Sequence, residues 1–217
     1  MTDSGALVIM GGAFDPVHYG HLRTAVEIHD LLQPNELRLI PSANPPHRPP
    51  HQASSVTRLE MLKVAVDGLA WCEVDDRELH REGPSWSVVT LEELRAESGD
   101  RSLCMILGMD AFLGLCSWHR WQDILGLAHL VIAHRPGSTA SADRKLNQLI
   151  SKCETHDVAD LQNEPAGHIF FQEVTQLEIS SSAIRGLIAR GQAARYLLPD
   201  SVLEIIGATG CYSSSAS

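Results

Sequence analysis

The sequence predicts an α/β fold, a single doubly wound domain with a mostly parallel central sheet and helices on both faces. Three observations predict it. Short, continuous apolar runs such as ALVIM (6–10), SLCMILG (102–108) and HLVIAHR (129–135) read as strands covered on both sides. Stretches with apolar residues at helical spacing alternate with them, the βαβα rhythm of a parallel sheet. No internal repeat or linker divides the 217 residues, a length that suits one large domain with a substantial core. The architecture expected is Rossmann-like, over residues 1–212, with the Ser-rich end 213–217 a frayed tail.

Each element has its own warrant. ALVIM follows no basic segment and runs straight into a glycine pair, so it reads as a first strand rather than a signal peptide. HLRTAVEIHDLL (21–32) places Leu22, Ala25, Val26, His29 and Leu32 at helical spacing, and Pro34-Asn35 ends the helix. ELRLIPS (36–42) is the next strand. The prolines of 43–52 exclude both ladder and helix, leaving a stiff loop. A helix follows over 54–69, with Leu59, Leu62, Val66 and Leu69 on one stripe and Ser or Thr at hand as caps. Residues 72–79 read as a strand, 83–98 as a loop feeding a helix, and 109–118 as helical after the strand 102–108. Residues 168–174 form the last strand, and helices begin at 179–191 and 199–210.

Composition narrows the function. A net charge of −10 argues against wholesale binding of nucleic acid, so any phosphate ligand must be met by local, well-placed groups. No apolar run is long enough to span a bilayer. Five cysteines, with no CxxC pair, fit neither a disulfide framework nor a zinc site and point to a reducing cytoplasm. Cys72 and Cys104 lie in strand-like runs and read as buried thiols.

Two strings carry the chemistry. In GGAFDPVHYGHL (11–22), Gly11 and Gly12 follow the first strand and let a ligand approach the main chain. Pro16 fixes φ, a helix starts near Gly20, and its N-terminus suits an anion. His18 and His21 lie three apart, so in a first helical turn both reach one oxyanion. In ISSSAIR (179–185), Ser180, Ser181 and Ser182 can cap a helix and donate hydroxyls, and Arg185 reaches back toward the same anion. Neither GxGxxG nor GxxxxGK[ST] is present, so this is a different phosphate device.

HYGH has the HxGH form, and ISSSAIR is similar to the ISSTxIR signature. Together, in this order, they resemble the HxGH nucleotidyltransferase superfamily. With PSANPPHR, GMDAF, SWHRW and HRPG, the stretch from Val8 to Leu198 resembles the bacterial nicotinate-nucleotide adenylyltransferase family. Ala13 stands where that family commonly has Thr or Ser, and Ser182 where it usually has Thr.

The resemblance implies transfer of the adenylyl group of ATP to nicotinate mononucleotide, giving deamido-NAD and pyrophosphate. It makes His18, His21 and Arg185 catalytic, with His18 nearest the α-phosphate and Arg185, Ser180, Ser181 and Ser182 on the outer phosphates. Gly11, Gly12, Ala13 and Phe14 would offer main-chain contacts, and Gly108 and Asp110 would hold the ribose, although Asp110 also reads as a helix N-cap. The pyridine side is assigned Asn44, His47, Arg48, Ser87, Trp118, His119 and Arg135. From spacing alone Trp118 reads as a half-buried core indole and Arg135 equally as a loop-fixing residue. Mg²⁺ would arrive on ATP, with no metal site built into the protein; Asp15 reads equally as a turn or capping residue. Alternatives are nicotinamide mononucleotide or phosphopantetheine as acceptor, or a non-catalytic nucleotide-binding module. An aminoacyl-tRNA synthetase, whose HIGH motif is related, would also need a KMSKS-like loop and anticodon-binding domains.

Overall fold

The computed structural model describes residues 5–44, 50–135, 143–175 and 177–213. Among the described residues, seven strands form one sheet in the order β3-β2-β1-β4-β5-β7-β6. They are β1 (Leu7–Gly12), β2 (Glu36–Pro41), β3 (Cys72–Val74), β4 (Leu103–Gly108), β5 (His129–His134), β6 (Glu154–Thr155) and β7 (Ile169–Glu173). Every neighbouring pair is parallel. The sheet is therefore wholly parallel, where the sequence predicted mostly so.

Side-chain alternation along the strands builds two cores. Val8, Leu37, Leu39, Cys104, Ile106 and Val131 face one way. Against them lie α1 (Tyr19–Leu32), α2 (Ser55–Ala65), α8 (Val158–Asn163), α9 (Ser181–Ala189) and α10 (Asp200–Thr209), through residues such as Ile28, Met61, Leu161, Ile184 and Val202. Leu7, Ile9, Leu103, Met105, Leu107, Leu130 and Ile132 face the other way. There α4 (Ser87–Ser98), α5 (Met109–Leu113), α6 (Trp121–Leu127) and α7 (Arg144–Cys153) supply Leu91, Phe112, Ile124 and Leu146. Residues on both faces of β1 and β4 are buried, which is why those strands read as unbroken apolar runs.

Some expectations are corrected. The strand at 72–79 stops at Val74, and α3 (Arg77–His80) follows. Asp75 accepts from both the main-chain N–H and the guanidinium of Arg77, which turns the chain out of the sheet. The helical stretch 109–118 is α5 and a separate 3₁₀ turn, Leu115–Ser117. Of the stripe predicted for α2, Leu62 and Val66 are buried and Leu69 packs against the core, whereas Leu59 is half-buried and Arg58 and Met61 turn inward beside them. Ser54 caps that helix by accepting from the Thr57 N–H. The sequence reading assigned nothing to α6, α7, β6 and α8. The tail residues 214–217 lie outside the described residues.

The strand order reverses between β1 and β4. In an open α/β sheet the carboxyl ends of two such strands frame the ligand crevice. Gly11 and Gly12 end one and Gly108 ends the other.

Candidate active site

The turn after β1 is held by side chains from far along the chain. The buried guanidinium of Arg58 donates to the Ala13 carbonyl at 2.7 Å. Phe14, at φ +46°, turns its ring into the core and sets it edge-on to His21 at 5.1 Å. A Cβ at Gly12 would meet that ring at 3.0 Å, so any larger residue there presses on the buried Phe14 side chain. Asp15 is buried, and a cis peptide joins it to Pro16. Its carboxylate accepts from the N–H groups of Gln52 and Ala53 at 2.8 and 3.1 Å and from the Tyr212 hydroxyl at 2.6 Å. Both oxygens are engaged within the protein, which supports the turn-fixing reading of Asp15 over metal contact.

His18 is the extended residue that precedes α1. Its ring stacks on that of His21, with centroids 3.8 Å apart. Burial lowers the His18 pKa to about 4. Burial, and then the neighbouring His18, push His21 well below the usual imidazole value. Both rings are therefore neutral at pH 7. Their Nδ1 atoms are buried with no hydrogen-bond partner in the protein. The glycine between them has a steric reason: a Cβ at Gly20 would lie 3.0 Å from the His18 ring and 3.6 Å from the Ile179 carbonyl.

The second string lands on the first. Ser180 caps α9 through the Ala183 N–H. Ser181 donates its hydroxyl to the Pro16 carbonyl at 2.9 Å. Arg185 donates to the Asp15 carbonyl at 2.7 Å and to Ser182 Oγ at 3.2 Å. Its Nε is buried without a partner. Two imidazoles and a guanidinium thus meet at one turn, each with unused hydrogen-bonding capacity in a region screened from water. That is the arrangement a phosphate chain requires.

Beside this clamp a cavity of about 240 Å³ opens over the ends of β1, β2 and β4. Gly11, Gly12, Ala13, Gly108, Ser87, Trp118 and His119 are among the residues that line it. Ser87 is the first residue of α4, where a main-chain N–H has no intrahelical partner. Trp118 is half-buried in the wall, so the indole is both core packing and cavity surface.

Other assigned residues stand differently. The side chain of Asp110 is exposed in the first turn of α5, and the N-cap position belongs to Gly108 instead. Asn44 is exposed, its main chain tied to Ser85 by N–H donation to Ser85 Oγ at 3.1 Å. Arg135 is exposed and pairs with Glu178 at 2.8 Å; it does not line the cavity. His47 and Arg48 lie outside the described residues. The sequence reading passed over Trp86, whose ring rests 4.7 Å from that of His119, and Glu78, a buried wall residue that accepts from the Thr90 hydroxyl. It also missed Arg58 and Tyr212. Only Arg58 left a signal: it sits in register with Met61 and Leu62 on the apolar side of its helix.

Among the described residues, no group of three or more His, Cys, Asp or Glu side chains could hold a metal ion, and no helix is long and apolar enough to cross a membrane. The cytidylyltransferase-like family model matches residues 9–187. A Methylococcus capsulatus protein named "Probable nicotinate-nucleotide adenylyltransferase" is 47% identical over 94% of this chain and 98% of its own. A protein of the same name from Halorhodospira halophila is 46% identical over 94% of each chain. The fold is also that of the Plasmodium falciparum nicotinic acid mononucleotide adenylyltransferase, solved with NaAD. There the TM-score is 0.75 at 15% identity, covering 96% of this chain and 97% of that one. The chain belongs to the cytidylyltransferase-like family and, within it, to the nicotinate-nucleotide adenylyltransferases.

Proposed function

We propose that the protein transfers the adenylyl group of ATP to nicotinate mononucleotide, forming deamido-NAD and pyrophosphate. The observation that carries this reading is the meeting of the HYGH and SSSAIR strings at one turn, joined by Ser181 to Pro16 and Arg185 to Asp15. The relatives' names and the ligands of the Plasmodium enzyme, solved with NaAD and with APC, support the choice of substrates.

The mononucleotide's phosphate oxygen attacks the α-phosphorus of ATP in line. A new P–O bond forms while the bond to the bridging oxygen breaks, and its electron pair leaves with pyrophosphate. The attacking oxygen is already ionised, so no general base is needed. The residues' work is alignment and charge stabilisation. His18 and His21 enter neutral and donate N–H groups to the phosphoryl oxygens, with His18 at the α-phosphate. Arg185 spends two N–H groups on Asp15 and Ser182 and offers the rest to the leaving pyrophosphate. Gly11, Gly12 and Ala13 bring main chain to the nucleotide, and Gly108 and Asp110 flank its ribose. Ala13 has no hydroxyl, so any phosphate contact there is through main-chain N–H. Trp118 stacks on the pyridine ring, and main-chain N–H groups at Ser87 and His119 receive the nicotinate carboxylate. We assign Asn44, His47, Arg48 and Arg135 to the mononucleotide's outer face. Mg²⁺ enters as part of the ATP substrate. The five free cysteines favour a reducing compartment, the cytoplasm.

The test is pyrophosphate release with ATP, Mg²⁺ and each acceptor in turn. Nicotinate mononucleotide should give by far the highest kcat/KM. Equal efficiency with nicotinamide mononucleotide would refute acid selectivity, and release with phosphopantetheine alone would replace the acceptor.

A further inference from the structure

We propose that Tyr212, beyond the last helix, is a positioning residue for adenylyl transfer that acts through Asp15 on Arg185. This rests on the function proposed above. The chain leaves α10 at Thr209, and Tyr212 takes φ +73°, a left-handed conformation that costs energy for a side chain of this size. That turn sends the ring into the core, where it is 8% exposed, and carries the hydroxyl to Asp15 Oδ1 at 2.6 Å.

Asp15 is a junction. Its carboxylate gathers Tyr212 from the C-terminus and the N–H groups of Gln52 and Ala53. Its carbonyl receives Arg185 at 2.7 Å. The neighbouring carbonyls are fixed as well: Ala13 by Arg58 and Pro16 by Ser181. Among these ties, the Tyr212 hydroxyl is a contact that can be removed with little change of volume. Its loss leaves Oδ1 with Ala53 alone at 3.1 Å and frees the Asp15 peptide to rotate. The guanidinium seated on that peptide then loses its fixed aim at the triphosphate. A hydrogen bond to a carboxylate is strong enough for this to be measurable in function.

The test is a double-mutant cycle of Tyr212→Phe with Arg185→Lys, reading ATP affinity by calorimetry and kcat by pyrophosphate release. Tyr212→Phe should weaken ATP binding and lower kcat, each by about tenfold, in the wild-type background. The same change should cost less than about twofold when Arg185 is already Lys, because the group being positioned is gone. The KM for nicotinate mononucleotide should stay within about twofold of wild type. An equal loss in both backgrounds, or no loss in either, would overturn the proposal, since a general weakening of the fold acts alike on both. Asp15→Asn takes the place of Tyr212→Phe if that variant does not fold, and the same coupling is expected. ATP affinity reads the coupling whatever the acceptor, so failure of the proposed substrate and failure of this inference give different results.

Discussion

The two histidines are set by their neighbours more than by their own chemistry. The His18 ring lies between His21 and Gly20, and a single methyl at Gly20 would press on it at 3.0 Å. Gly20→Ala should therefore separate stability from function. Alanine is the better helix residue by about 1 kcal/mol, so the thermal midpoint should hold or rise while kcat falls with the displaced imidazole. His18→Ala should lower kcat by about 100-fold or more with a native circular dichroism spectrum; near-normal turnover would remove His18 from the reaction. At this scale the sequence was legible where chemistry is local. His18, His21 and Gly20 stand within four residues, and the string announces a shared face. Tyr212 was not legible and Arg58 only as a charge in register with Met61 and Leu62, because each acts on the turn across a reach of 197 or 45 residues that only the fold closes.

Elements are joined by guanidinium groups that collect main-chain carbonyls. Arg95 of α4 donates to Leu127 at the end of α6, to Gly99 and Arg101 after its own helix, and to Pro165 ahead of β7. Leu127, Gly99 and Arg101 offer carbonyls at helix ends and in loops, while the Pro165 carbonyl also accepts from the Leu103 N–H at 3.1 Å. Arg95→Ala should destabilise the protein by about 2–4 kcal/mol in urea unfolding, with ATP affinity unchanged, since the clamp lies away from the site. Lysine, which has one donor centre, should recover little. Long, buried strands and their helices were legible from their apolar runs. The short edge elements were not: β6 has two residues and offers no period to read. α7 does carry one, with Leu146, Leu149, Ile150 and Cys153 at helical spacing against the core, but it follows a stretch rich in turn-forming residue types and has a single fully buried residue, Leu146. The chain between Val74 and Arg77 was misread because Asp75 turns it through contacts that an apolar count does not register.

Across the whole molecule, the neutral histidines make stability depend on pH. His18 titrates at about 4 in the folded protein and near 6.5 unfolded, and His21 and His129 are shifted the same way, chiefly by burial. The unfolded chain thus binds more protons between those values, so stability is complete above pH 6.5 and is lost as pH falls toward 4. For His18 alone the loss is on the order of 3 kcal/mol. Urea unfolding at pH 7.5 and pH 5 should show it, and His18→Gln should flatten the difference; a wild-type protein equally stable at both would contradict the burial argument.

The same global geometry sets the glycine ends of β1 and β4 in the wall of the cavity beside the HYGH–SSSAIR turn, where strand order reverses and where the proposed substrates would meet. The proposed transfer is direct, from one substrate to the other across that crevice. It is tested most directly by a single-turnover experiment with ATP, Mg²⁺ and nicotinate mononucleotide, following dinucleotide and pyrophosphate together. Both should appear in equal amounts and at one rate, and omitting the mononucleotide should abolish pyrophosphate release. Pyrophosphate released from ATP alone, or no dinucleotide with both substrates present, would contradict it.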